Sequence, residues 1–279
     1  TRCLSDWSSD VCSSDLCSAC VCWCADIARS PSPEGERLFR SADGAIRELQ
    51  DVVGILRGGA AARPVTVSTS IGVAGLWLMP RLGAFLRVHP GIDVRLSASN
   101  RVADLKVDGL DMALRYCPPE TAPEGAQRLF GETIAPVAHP SLGLNGRLDV
   151  AALAGCVLLE FDGEYRPWLR WSEWLASQGW DALKPRGVLR FNQYDQLVQA
   201  AIAGQGVALG RLELIGQVLA DGRLHRLETP LPGPASANAY WLLRAESAAR
   251  PEVDEVAQWI LAEAAATRGA AEGQEEKDG

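Results

Sequence analysis

Ser68-Thr69-Ser70 ends a β-branched run that starts at Val65 and leads into residues with helical spacing. Hydroxyls beside the free backbone N–H groups of a helix start suit a carboxylate or another anion. The same residues could equally be an ordinary Ser/Thr cap. Thr69 and Ser70 are therefore the first candidate ligand contacts. Tyr116 follows a strand expected over 111–115, and Phe161 ends one expected over 157–161. Asn192 and Tyr194 stand between a strand expected over 188–191 and its following helix. Such positions, at the carboxyl ends of strands, are where α/β folds place ligand contacts. None of these residues forms a nucleophile–base pair. The chain has no P-loop, no GxGxxG after a strand, no GxSxG elbow and no HExxH. His89, His139 and His225 are scattered beside turns or strands. No catalytic residue, metal or cofactor is expected, and the chain is not expected to be an enzyme.

The elements that must position these residues are readable from periodicity. Phe39, Ala42, Ile46, Leu49, Val53 and Leu56 follow a 3-4-3-4-3 spacing, which lays one narrow apolar stripe along a helix and suits dimerisation. Ser32-Pro33-Glu34 supplies its cap, first-turn proline and first-turn acid, and Gly58-Gly59 stops it. From Val65 onward, short strands alternate with amphipathic helices. The pattern predicts helices over 76–88, 102–107, 167–178, 193–203, 212–220 and 252–266. Strands are predicted over 65–69, 92–98, 111–115, 133–138, 157–161, 188–191, 207–209, 224–227 and 239–244. This is a parallel, doubly wound α/β signature that divides into two lobes, one over about 64–133 plus 212–267 and the other over about 139–207. Residues 268–279 are polar and Gly-rich and read as a disordered tail. Trp168, Trp171 and Trp174 recur at helical spacing and are expected to pack rather than to form an aromatic cage. Gly204 and Gly206 are expected to permit a tight turn.

The net charge of −8 and the absence of a long Lys/Arg cluster argue against a DNA-gripping face on the chain as given. No run of eighteen apolar residues suggests a membrane span, and the N-terminus lacks the pattern of a signal peptide, so a cytoplasmic location is the expectation. Six of the eight cysteines lie in the first 24 residues. Cys17, Cys20, Cys22 and Cys24 lack the second ligand pair that a zinc site needs. Cys3–Leu16 (CLSDWSSDVCSSDL) resembles a translated sequencing-adapter artefact, and residues 1–29 read as artefactual or frame-shifted. Cys117 and Cys156 are expected to be plain thiols.

Three motifs carry a family resemblance. Ser32-Pro33-Glu34-Gly35-Glu36-Arg37-Leu38 resembles the end of the wing and the start of the linker helix in LysR-type transcriptional regulators. Trp77, Met79-Pro80-Arg81-Leu82, Leu86, His89-Pro90, Ile92 and Val94 resemble that family's first effector-domain helix and second strand. Gln199 to Gly210 (QAAIAGQGVALG) resembles the branch that includes the glycine-cleavage activator. The resemblance covers about residues 30–267. It implies a linker or dimerisation helix over 30–59 and an α/β, two-lobed, periplasmic-binding-protein-like effector domain over 64–267. It also implies a homodimer or homotetramer, with a small effector held between the lobes. Tyr116 would then face the cleft, beside Thr69 and Ser70. DNA would be bound through a winged helix-turn-helix that residues 1–29 do not match. A transporter's solute-binding protein shares the two-lobed fold and is the alternative reading; a small-molecule transferase or dehydratase-like enzyme on the same lobes is a third.

Overall fold

The computed structural model describes residues 63–278, apart from 145, 147, 164–165 and 246–249. Upstream it describes only Glu34, Gly35, Arg37, Leu38, Ala42 and Ile46, all helical. Ala42 and Ile46 of the heptad seam are thus helical and exposed. Phe39, Leu49, Val53 and Leu56 lie outside the described residues, as do residues 1–29.

Residues from 62 onward form one compact unit built on two five-stranded sheets. The strands are β1 (Val65–Thr69), β2 (Val94–Ala98), β3 (Met112–Cys117), β4 (Gln127–Phe130), β5 (Ile134–Ala138), β6 (Val157–Phe161), β7 (Gly187–Phe191), β8 (Val207–Arg211), β9 (His225–Arg226) and β10 (Ala239–Arg244). The first sheet has the order β2-β1-β3-β10-β4 and the second β7-β6-β8-β5-β9. In each, the strands joined through helices or long crossovers run parallel. β10 in the first sheet and β5 in the second run antiparallel to their neighbours. The purely parallel expectation is corrected accordingly. These two strands are reached by the segments that pass between lobes, and only a helical crossover returns a strand in the parallel sense.

The helices are α1 (Ile71–Val88), α2 (Val150–Ala154), α3 (Trp171–Ser177), α4 (Tyr194–Ile202), α5 (Leu212–Ala220) and α6 (Pro251–Asp278). α1 starts five residues earlier than its periodicity suggests. Ser70 adopts extended backbone, and its side chain accepts from the Val73 N–H, which caps the helix. The helix widens into a π turn over Ala74–Leu78, where the Met79 N–H reaches the Ala74 carbonyl. Pro80, which has no N–H to give and whose ring crowds the preceding turn, follows directly. By length and composition α1 could cross a membrane, but Val73, Leu76, Trp77, Leu78 and Phe85 are buried against the first sheet and α6.

Four other expectations are corrected. Residues 102–104 are irregular and 105–109 form turns, because the Asp104 carboxylate accepts the N–H groups of Lys106 and Val107 at 2.9 and 3.1 Å and so competes with a helix. These bonds hold the Asp104 carboxyl below its ordinary range. β3 ends two residues later than expected, which places Tyr116 within the strand. The return to the first sheet comes after Arg226, not at 212, because β9 pairs with β5. α5 nevertheless packs on α1 and α6, so its helix sits with the first lobe while the strands around it belong to the second. α6 continues to Asp278, past the point where composition reads as disorder; Ala264-Ala265-Ala266 and Ala270-Ala271 are good helix formers with no proline among them.

One core cluster runs through both lobes, from Trp77, Phe130 and Tyr240 to Leu159, Tyr194, Leu197 and Ile215. A second fills the far lobe around Trp171, Trp174, Leu158 and Leu209. Gly204 has φ +71, and a Cβ on Gly206 would lie 2.3 Å from the Val157 carbonyl oxygen. Only glycine turns α4 into β8 at this distance from β6.

Candidate functional site

The site is built where the two segments joining the lobes meet the ends of both sheets. β5 and β8 pair with Ile134 opposite Arg211. This register sets Glu132 and Thr133, which connect the lobes, beside the start of α5. The Leu212 N–H donates to the Thr133 carbonyl at 2.9 Å, and the Thr133 N–H donates to Glu213 Oε2 at 2.9 Å.

Arg211 lies at the centre, with 8% of its surface exposed. Its Nε donates to Glu132, whose side chain is fully buried. Its guanidinium carbon lies 4.5 Å from the ring centre of Tyr116, 5.3 Å from that of Tyr240 and 5.4 Å from that of Tyr194. Burial alone would lower the arginine's pKa. Tyr240, Tyr116 and Tyr194, which carry charge only at the strongly alkaline pH where an arginine titrates, and the Glu132 carboxylate overcome it and raise the pKa. The same burial pushes all three phenols up, so they remain protonated hydroxyls. Tyr116 donates to Glu132 and lies 3.2 Å from Ser236 Oγ. The Tyr194 hydroxyl donates to the Leu209 carbonyl at 3.0 Å and accepts the Arg211 N–H at 2.7 Å. Glu213 is raised by burial, and the nearby Glu132 charge adds to this.

The lobes touch across this box at several points. A Cβ on Gly72, in the first turn of α1, would lie 3.7 Å from the Tyr194 Cβ. Asn100, after β2, donates to Gln193 Oε1 at 2.9 Å, while its Oδ1 accepts from Ile71 N. Arg166 of the second lobe stacks 4.4 Å over the Tyr116 ring.

The residues singled out from sequence fall as follows. Thr69 is fully buried, and its Oγ1 has no hydrogen-bond partner. Ser70 caps α1. Phe161 packs edge-on to Tyr194 at 5.9 Å. Tyr116 and Tyr194 both flank Arg211. Asn192 is exposed, at the rim rather than in the box. Glu132, Arg211 and Tyr240 were not among the sequence candidates. Arg211 did leave a signal: it is the first charged residue after Asp195, ending an otherwise uncharged stretch. Tyr240 left none, because its place depends on β10 pairing it with Tyr116. Trp168 sits in a short 3₁₀ turn apart from the helix that carries Trp171 and Trp174. His89 pairs with Glu255, His139 with Ser141 and His225 with the Leu144 carbonyl. Among the described residues no group of three His, Cys, Asp or Glu side chains could hold a metal ion.

A two-lobed α/β domain with polar side chains gathered at the junction of its lobes is the architecture of ligand-sensing effector domains. Residues 58–265 match the LysR substrate binding domain, and the chain belongs to the family of LysR-type transcriptional regulators. It is 32% identical over 194 residues to the HTH-type transcriptional regulator PerR of Escherichia coli K12, covering 68% of this chain and 62% of that protein. It is likewise 32% identical over 240 residues to the glycine cleavage system transcriptional activator of the same organism, covering 84% and 75%. The effector domain of the transcriptional regulator AmpR of Pseudomonas aeruginosa superposes with a TM-score of 0.54 at 28% identity, covering 74% of this chain and 98% of that one. These relatives are transcriptional regulators, not transporter solute-binding proteins.

Proposed function

We propose that the described domain senses a small molecule held between its lobes, on behalf of a cytoplasmic, homodimeric or homotetrameric DNA-binding regulator. The observation that carries this reading is the convergence on Arg211 of groups from both lobes and from the joining segment: Tyr116 and Tyr240 from the first sheet, Tyr194 from α4, and Glu132 between the lobes. A ligand touching this set touches every part whose relative position defines the lobe arrangement. A ligand that prefers one arrangement shifts the population toward it. Thr69, Ser70, Tyr116, Phe161 and Tyr194 line the site, with Asn192 at its rim. The acidic net charge assigns DNA contact to a separate basic domain of the kind the family carries, with the helix over 30–59 as dimerisation element and relay. No group in the box has the partner geometry of a nucleophile or general base, which favours sensing over turnover.

A thermal-shift scan of metabolites against the chain, repeated on Thr69→Trp, tests this reading. Compounds that raise the melting temperature of the parent should lose their effect in the variant. Retained shifts would move the ligand elsewhere. Light scattering should return a dimer or tetramer, and a monomer would count against the dimerising helix.

A further inference from the structure

We propose that the N-terminal turns of α1 and α4 form a releasable latch between the two lobes, and that Asp195 is the residue that lets it open. The latch concerns the lobes themselves and does not depend on a ligand between them. The first turn of α1 packs on α4, and Gly72 and Gly75 lie on the side that faces it. Added Cβ atoms there would lie 3.7 Å from the Tyr194 Cβ and 3.9 Å from the Asp195 Cβ. The helices approach this closely because α1 presents no side chain at either position. Asn100 fastens the same end. Its Oδ1 accepts from Ile71 N at 3.2 Å, and its Nδ2 donates at 2.9 Å to Gln193, which immediately precedes α4. Gly75 falls in the π turn of α1, a local widening of the kind that recurs at functional sites.

The closed contact carries its own opposition. Among the described residues, Asp195 Oδ1 is buried and has no hydrogen-bond partner. An acid in the first turn suits the positive end of α4, but that attraction does not require shutting the carboxylate off from water. Turned toward Gly75, one of its oxygens loses water and gains no donor. Parting α1 from α4 returns water to it. Closing gains the packing on the glycine face and the bond from Asn100 to Gln193. A gain and a cost of the same order leave the closed and open arrangements near in free energy, so both are populated.

Amide hydrogen exchange of the full chain tests this, with each variant read on the helix that it does not alter. Asp195→Ala removes the unpaired oxygen and should slow exchange over 71–76 at least about fivefold, the factor for relieving one unsatisfied polar group. Gly75→Leu fills the contact and should speed exchange over 192–198 by about the same factor. A residue with a merely local role would change its own helix alone, and that outcome overturns the latch. Faster exchange over 71–76 in Asp195→Ala overturns it too. Should Gly75→Leu not fold, the double variant Gly75→Cys with Asp195→Cys keeps the test. A Cβ separation near 3.9 Å lies within disulfide range. Oxidation should yield a linked peptide joining α1 to α4 and slow exchange over both segments at least about tenfold, and reductant should reverse this. A pair that does not link, or that links without slowing exchange, overturns the proposal.

Discussion

The molecule buries two aromatic clusters of similar bulk and opposite character. In the second lobe Trp171, Trp174 and Trp180 stack edge to face, with centroids 5.5 and 5.9 Å apart. They sit among leucines. Between the lobes Tyr116, Tyr194 and Tyr240 surround a guanidinium and a carboxylate. The tryptophans gain from quadrupole-complementary packing and from removing apolar surface from water. The tyrosines hold polar tips and an ion pair away from water, an arrangement whose desolvation cost is of the same order as its attraction. A fold that needed only stability would be served as well by leucine or phenylalanine there. The contrast separates aromatic residues that fill a lobe from those that equip the junction between lobes.

Four changes would break or sharpen that contrast. Trp174→Ala should cost about 3–5 kcal/mol in urea unfolding, the range for emptying a buried large aromatic site. A Cβ on Gly233 would lie only 2.7 Å from the Trp174 indole nitrogen, so the loop over the indole loses its seat as well. Ligand binding by any protein that still folds should be unchanged. Arg211→Met should cost about 3 kcal/mol, because it leaves Glu132 buried without its cation. It should also abolish the thermal shift caused by compounds that stabilise the parent, which sets it apart from the tryptophan variant. Tyr194→Phe should cost about 2 kcal/mol by removing the partner of the Arg211 N–H and the Leu209 carbonyl, and ligand affinity should fall with the loss of order at Arg211.

The smallest effect concerns acidity. Burial makes Glu213 hold its proton at higher pH in the folded chain than in the unfolded one. Its contribution is therefore fully present below the ordinary glutamate range near about pH 4.3 and fades as pH rises through the raised folded value. Glu213→Gln keeps an acceptor for the Thr133 N–H and removes this slope. Stability measured against pH should then run flatter for the variant than for the parent from about pH 4.3 upward. Parallel curves would mean that Glu213 is not the group holding that proton.

Much of the fold was legible because local patterns are sufficient there. The run Val65–Thr69 alternates as a strand, and the amphipathic 212–220 segment is a helix bounded as expected. Where a side chain competes with the backbone, as at Asp104, periodicity misleads. The expected boundary at 212 missed because α5 packs with one lobe while the next strand returns to the other. Of the residues proposed for the site, Tyr116 and Tyr194 stand out in the sequence because each lies near the carboxyl end of a strand. Arg211 and Tyr240 could not be assigned from sequence, since a charged strand end and a tyrosine in an apolar strand have many uses.

The chain's pattern alone determined that two α/β lobes would form and which strand ends would carry polar residues. Hydrophobic period, caps and turn glycines act over a few residues and need no distant partner. Only the tertiary structure decided that β5 and β8 pair with Ile134 opposite Arg211, and that β10 lays Tyr240 beside Tyr116. Those registers bring residues far apart in the chain around one guanidinium, and a buried charge is given its partners by the folded whole rather than by its neighbours in sequence.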